Sequence, residues 1–433
     1  MLATWIGTGS ILGNAGEAYR SGMAALMLPL GGVSGIVLLS FIAPRVRKEN
    51  IYTVPEIIRK RFGTVAGLLS ILALVSAYMV IVSYQYNAGA AVIHTILLDS
   101  GGEALFSIGT STVIAAAIII AYTMLAGLLS VAFTDVGNGI LMTLTLLIAF
   151  PIIFMKAGGF AGMEAAFESM GRPDHMQFLG VYSGLDILNF LLPPFLLVLG
   201  DANMFQRFSA SRTAEGSRSA VMALVAAVLI IELLIVSLAW MSSSLVPDAA
   251  NGRHILIYTA FNFLPPLLSS LMLATIIGII ISTADSYLLV PATTLVRDIW
   301  LEYVDPEASE ARIILGSRLT VLILGLIAYV ISLGFARSSG FFERALYAYT
   351  IYGAAITPTL LAALFWKRAS SRAAVVSISS GVLMTVLWKE TELFSLLLPS
   401  QWAGSVNEVI PAALVSVLSL ILLSFYDSRK TGN

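Results

Sequence analysis

The stretch Ile279–Arg297, IIISTADSYLLVPATTLVR, sets hydroxyls and a carboxylate inside an apolar run long enough to cross a bilayer. Hydrocarbon offers such groups no water, so Ser282, Thr283, Asp285 and Ser286 require a cavity, a partner or an ion. On a helix Ser282, Asp285 and Ser286 stand at i, i+3 and i+4 and share one face, with Thr283 beside it. That face is a cluster of hard oxygens, the donor type that suits a hard cation such as sodium. The alternative is that the hydroxyls bond back to their own helix and Asp285 lies near a membrane boundary. Both readings stay open on this stretch alone.

Working outward, composition fixes the class. Of 433 residues, 58% are hydrophobic and 11% charged, far from the roughly 25% charge of a soluble domain, and the mean hydropathy is +0.91. The chain reads as an all-α polytopic membrane protein. A net charge of −1 gives no basic surface for nucleic acid, and the absence of cysteine excludes disulfides, thiolate metal sites and a cysteine nucleophile. His94, His175 and His254 lie far apart and show no metal-ligand spacing. No nucleophile or metalloprotease motif points to an enzyme. The N-terminal apolar run lacks the basic region and cleavage site of a secretory signal.

About twelve runs approach the ~20 residues of a spanning helix: 1–19, 22–43, 65–97, 104–125, 128–155, 183–206, 218–245, 263–296, 312–335, 341–366, 373–388 and 406–426. Basic residues crowd four connections: Arg45 to Arg61, Arg207 to Arg218, Lys367 to Arg372, and Arg429 with Lys430. Strict alternation puts all four on one side, which the positive-inside rule makes cytoplasmic. This places the protein in the plasma or inner cell membrane.

Two spans carry helix breakers. The first holds Gly7, Gly9, Gly13 and Gly16 among Thr8 and Ser10; the sixth holds Pro193-Pro194 and then Gly200-Asp201. Breaks at equivalent places in two five-helix halves are the mark of an inverted-repeat secondary transporter, although close helix packing also explains such glycines. Only six residues precede Gly7, about 9 Å of helix, which is short of half a ~30 Å hydrocarbon core. The expectation is therefore that the first helix begins upstream of Met1.

Six segments carry a family resemblance: WIGTGSILGNAGEAYRSG (5–22), APRVRKENIYTVPEIIRKRFG (43–63), AYTMLAGLLSVAFTDVGNGILM (121–142), GDANMFQRFSAS (200–211), ISTADSYLLVPATTLVRDIW (281–300) and GAAITPTLLAALFWKRA (353–369). In this order they resemble the sodium:solute symporter family over nearly the whole chain. The resemblance implies a five-plus-five, leucine-transporter-like inverted-repeat core, with repeats at 1–155 and 156–366 and two flanking helices in 367–433. It implies sodium-coupled import of a small organic solute by alternating access, with sodium as the co-transported ion. By position, the family's sodium ligands fall on the carbonyls of Ala3, Ile6 and Ile279 and the hydroxyls of Ser282 and Thr283. A second sodium or proton site, described for some members, falls on Asp135, Asp285 and Ser286 together with Ser282. Asp135 alone also reads as a helix cap, and Glu232 reads as paired inside the bundle. The solute is expected among Trp5, Thr8, Ser10, Tyr84, Gln85, Asn87 and Leu197. Pro194, Leu197 and Val198 are aliphatic where sugar carriers of the family place aromatic rings, so no sugar platform is visible. Alternatives are a sensor module of the same fold, an uncoupled leak, or a non-transporting truncated paralogue.

Overall fold

The computed structural model describes residues 2–48, 53–98, 103–209, 213–248, 252, 254–335, 340–391 and 405–431. Its helices are α1 (Leu2–Trp5), α2 (Ala15–Ser21), α3 (Pro29–Lys48), α4 (Val54–Phe62), α5 (Thr64–Ile96), α6 (Ile108–Lys156), α7 (Gly159–Ser169), α8 (Gly184–Gly200) and α9 (Ala202–Ser209). There follow α10 (Ala214–Ser243), α11 (Ile255–Phe263), α12 (Pro266–Leu295), α13 (Glu310–Phe335), α14 (Phe341–Phe365), α15 (Ser371–Glu390) and α16 (Val409–Thr431). A π-helical segment, Gly9–Asn14, joins α1 to α2, and another, Val296–Val304, extends α12. Among the described residues eleven helices are long and apolar enough to cross a membrane. The remaining expected span is the broken segment from α1 to α2.

Burial separates the helices into a centre and a belt. From Ala77 to Val92 α5 is covered on all sides, although Val65, Leu68 and Leu72 in its first turns are exposed, and Tyr78, Tyr84 and Tyr86 are among the largest wholly buried side chains. It packs against α6, α12, α13 and α14, which fits a helix that is apolar all round. By contrast, α13 leaves Leu315, Ile323 and Val330 uncovered, and α16 leaves Leu414, Leu418 and Leu422 so. In a bilayer those faces meet lipid.

The 49-residue α6 covers two expected spans. The hydroxyls of Tyr122 and Thr134 hydrogen-bond at 2.9 Å, whereas twelve residues of straight helix would separate them by about 18 Å. The run is therefore bent between 122 and 134, and a candidate span lies on each side of the bend, Ile108–Leu125 and Thr134–Lys156.

The basic clusters fasten one end of the bundle. Arg61 donates to the carbonyls of Lys367 (2.6 Å) and Ala369 (3.1 Å), and Arg59 meets Glu302 at 2.6 Å. Ser370 donates to Asp427 at 2.7 Å. Three of the four basic connections thus share the end read as cytoplasmic.

The break in the sixth span differs from expectation. Helix α8 runs unbroken through Pro193-Pro194, and the chain turns extended only at Asp201 (φ −62, ψ 111). Side chains of α14 bond the last turns of α8: Thr357 donates to Leu196 O at 2.6 Å and Tyr352 to Gly200 O at 2.9 Å. Proline removes a donor and crowds the preceding turn, yet α8 continues through both prolines.

At the opposite, outer end, α7 and a 3-10 turn, Pro173–Met176, form a cap. Gly22 (φ 63) presses against the His175 backbone, and a β-carbon there would overlap it, so this position needs glycine twice over. Trp240 donates its indole N–H to His175 O at 2.9 Å. The His175 imidazole is buried against Phe167, and burial, then the charge of Arg172, holds its pKa below the ordinary value. A lowered folded pKa favours the neutral ring, so the cap is fully stable above the unfolded value near 6.5 and loses stability as pH falls through the folded one. Proteolysis of segment 157–183 is expected to speed up between pH 7.5 and 5, and less so in His175→Gln. A cleavage rate indifferent to pH would show that His175 does not hold the cap.

Candidate functional site

The site begins where α1 ends. Ile6 N–H still bonds Leu2 O at 2.9 Å, but Ser10 N–H turns to Gly7 O at 3.1 Å in place of the Ile6 O that an α-helix would use. Thr283 then donates its hydroxyl to Ile6 O at 3.2 Å. Gly7 makes this approach possible, since a β-carbon on it would lie 2.8 Å from the Thr283 methyl. Ile6, Ile279, Ser282 and Thr283 are all buried, and Ala3 belongs to α1, half a turn before the break. Of the expected sodium ligands, Ile6 on the first span and Thr283 on the eighth are in contact.

A second cluster lies on the next face of α12. Ser282 donates to Asp135 of α6. Arg207, at the end of α9, reaches Asp135 at 3.6 Å and Ser286 at 3.3 Å. Asp285 is wholly buried, and among the described residues neither of its carboxylate oxygens has a hydrogen-bond partner. It stands near Asp135 and Arg207 and opposite Thr123, whose hydroxyl is turned to Ile119 O at 2.8 Å. Asp135, Ser282, Asp285 and Ser286 therefore do converge. Sequence reasoning missed the guanidinium among them. Arg207 counted as one of a basic cluster at a membrane edge, and its place six residues beyond Asp201 was the available signal.

Between the first span and α10 lies a central cavity lined by Trp5, Ser10, Asn14, Glu232, Phe342 and Tyr349, among others. Two expected solute contacts, Trp5 and Ser10, are on its wall. Five others are elsewhere. Thr8 is hydrogen-bonded to Gln85, Tyr84 to Tyr349, and Asn87 donates to Ser332 O on α13 at 3.3 Å. Leu197 is fully buried, with its backbone against Gly353. Glu232 does have partners inside the bundle, Ser10 and Asn14 (3.1 Å).

The second break is held by a carboxylate. Asp201 is wholly buried and caps α9, accepting from Asn203 N–H at 3.0 Å, where the positive end of the helix dipole favours an anion. Tyr78 donates to the same oxygen at 2.6 Å, and its ring meets those of Tyr287 and Tyr352 at 4.7 and 5.6 Å. No motif in the sequence singled out these tyrosines; they declare themselves only when α5, α8, α12 and α14 meet.

With this geometry in place, comparison with known proteins is informative. The sodium:solute symporter family model matches residues 1–381. The osmoregulated proline transporter OpuE of Bacillus subtilis is 25% identical over 97% of this chain and 84% of its own length. The sodium/proline symporter of Escherichia coli is 21% identical over 98% and 83%. Among solved structures, a Na+-coupled sialic acid symporter in a substrate-bound outward-open state superposes with a TM-score of 0.78 at 17% identity, covering 98% of this chain and 88% of that one. Mhp1, a nucleobase-cation symporter in a closed conformation, superposes at 0.61 with 14% identity over 98% and 91%. The architecture is the leucine-transporter-like inverted-repeat fold, with flanking helices.

The Asp201 network yields an expectation on stability. Tyr78→Phe removes one donor from a buried carboxylate, at a cost of roughly 1–3 kcal/mol, and lowers the thermal midpoint in detergent. An unchanged midpoint would mean that Asp201 does not need Tyr78.

Proposed function

Because the chain belongs to the sodium:solute symporter family, and is thus a sodium-coupled membrane transporter rather than an enzyme, we propose which of its residues perform the coupling. The carbonyls of Ala3, Ile6 and Ile279 and the hydroxyls of Ser282 and Thr283 form the sodium site. The observation that carries this is the Thr283 hydroxyl resting on Ile6 O at the helix break, where two oxygens from different spans already meet at cation-binding depth. Sodium bound there joins the first span to α12; its departure frees them to separate. Each sodium entering contributes about 2.3 kcal/mol per 100 mV of membrane potential, which drives solute accumulation.

The repeats 1–155 and 156–366 supply the two breaks, and the solute moves inward through the cavity beside the first of them. Thr8 and Gln85, hydrogen-bonded to each other behind that cavity, transmit the position of the break to α5. Contacts that alternate in the cycle are ion pairs at either end. Arg20 bonds Glu17 and Glu343, both at 3.0 Å, on the outer side, and Arg207 bonds Asp135 on the inner side. The relatives carry proline, which makes L-proline the first solute to test.

Asp135, Asp285 and Ser286, with Ser282, form a second cation site for sodium or a proton. The buried, unbonded carboxylate of Asp285 favours this reading, since such a group is costly unless a cation visits it. Arg207 is then the counter-charge that an arriving ion displaces.

Two measurements in proteoliposomes test these assignments. Thr283→Ala removes one ligand oxygen and is expected to weaken sodium binding about five- to 150-fold, from a loss of roughly 1–3 kcal/mol; wild-type sodium dependence of uptake in the variant would refute the ligand. Asp285→Asn is expected to lower the charge-to-solute ratio while the first site still binds. The same ratio in well-folded variant protein would remove the second site.

A further inference from the structure

Among the described residues, Glu232 is the only charged side chain on the wall of the central cavity. It lies eleven residues from the outer end of α10, roughly 17 Å of helix, and is buried. Ser10 and Asn14, on successive turns of the π-helical segment, both donate to it. These neutral donors orient the carboxylate without neutralising it. Among the described residues no lysine, arginine or histidine pairs with it. A buried anion at this depth calls for a cation, and its position on a cavity wall lets that cation be a visitor. The other walls point the same way. Trp5, Phe190, Phe342 and Tyr349 surround the same space, and aromatic faces attract positive charge. A protonated or quaternary nitrogen would meet the carboxylate in a charge-assisted contact on one side and ring faces on the other. A neutral polyol or a nitrogen-free carboxylate would leave Glu232 uncompensated.

We propose that Glu232 binds a positively charged nitrogen of the transported solute, so that the substrate class is a small ammonium-bearing or zwitterionic molecule. The assignment rests on reading this cavity as the solute site of a sodium symporter. Asn14 and Ser10 act as positioning residues: they hold the carboxylate toward the cavity from the same segment whose preceding turn supplies the sodium-facing carbonyl of Ile6.

The test uses the full chain in proteoliposomes with four probes: L-proline, glycine betaine, D-glucose and L-lactate. Binding of each to the purified protein is followed in parallel by thermal shift, with and without sodium. The expected result is sodium-driven uptake of proline or betaine and of neither other probe. Glu232→Gln raises the KM for that solute about tenfold or more and leaves the sodium-induced thermal shift intact, while Glu232→Asp recovers part of the affinity. Transport of proline alone would place an N–H donor on the carboxylate; transport of betaine as well would show that charge suffices. An unchanged KM in Glu232→Gln, preference for glucose or lactate, or failure of both nitrogenous probes to bind overturns the proposal. Sodium-driven glucose uptake would do so while leaving sodium symport intact. Glu232-dependent proline binding indifferent to sodium would keep the nitrogen site and sink the coupling.

Discussion

A backbone carbonyl at mid-membrane depth has no water to turn to, and the rest of this structure is arranged around the places where helices stop supplying partners. At the first break the Ile6 carbonyl accepts from Thr283. At the second, the carbonyls of Leu196 and Gly200 accept from Thr357 and Tyr352. The partners differ in what they leave open. Thr357 and Tyr352 belong to one neighbouring helix, α14, and fasten the end of α8 to it. Thr283 and its neighbour Ser282 each turn a hydroxyl to an oxygen of another span, Ile6 O and Asp135, whereas at the second break Tyr78 and Asn203 meet one oxygen of Asp201 and, among the described residues, its Oδ2 has no partner. The contact of a hydroxyl and a carbonyl from two different spans is the physical basis on which we propose sodium at the first.

Three buried carboxylates show three ways of keeping an anion in a bilayer. Asp201 is a helix cap reinforced by a phenol through one oxygen, Oδ1, while its Oδ2 has no partner among the described residues. Asp285 has, among the same residues, neither oxygen bonded and lies beside a second carboxylate and a guanidinium. Glu232 has neutral donors and a cavity. Charge held in hydrocarbon without a fixed counter-charge is stable only if an ion or solute completes it for part of the cycle. A transporter is one kind of protein in which such incompleteness is useful, because the completing charge is the cargo or the driving ion.

Much of this was legible in the sequence. The i, i+3, i+4 spacing of Ser282, Asp285 and Ser286 gave their shared face, and Gly7-Thr8-Gly9 gave the first break, because both depend on local geometry. The two candidate spans of α6 were visible as two apolar runs. The position of the second break was less so: Pro193-Pro194 is the stronger local signal, yet α8 continues through it to Gly200-Asp201. Tyr78 and Arg207 were invisible in their roles, since one meets Asp201 across 123 residues and the other meets Ser286 across 79. Asn87 looked like a pocket residue because polar groups in α5 are few, but a helix covered on all sides has several directions in which to satisfy an amide.

The central claim is that sodium joins the first-span break to α12. Hydrogen–deuterium exchange of the full chain in nanodiscs, compared in sodium and in choline, tests it most directly. The account predicts that sodium slows exchange together at residues 5–12 and 279–286, with the half-maximal effect at one common concentration. Exchange in both segments that is the same in the two salts, or sodium protection confined to other helices, would contradict it.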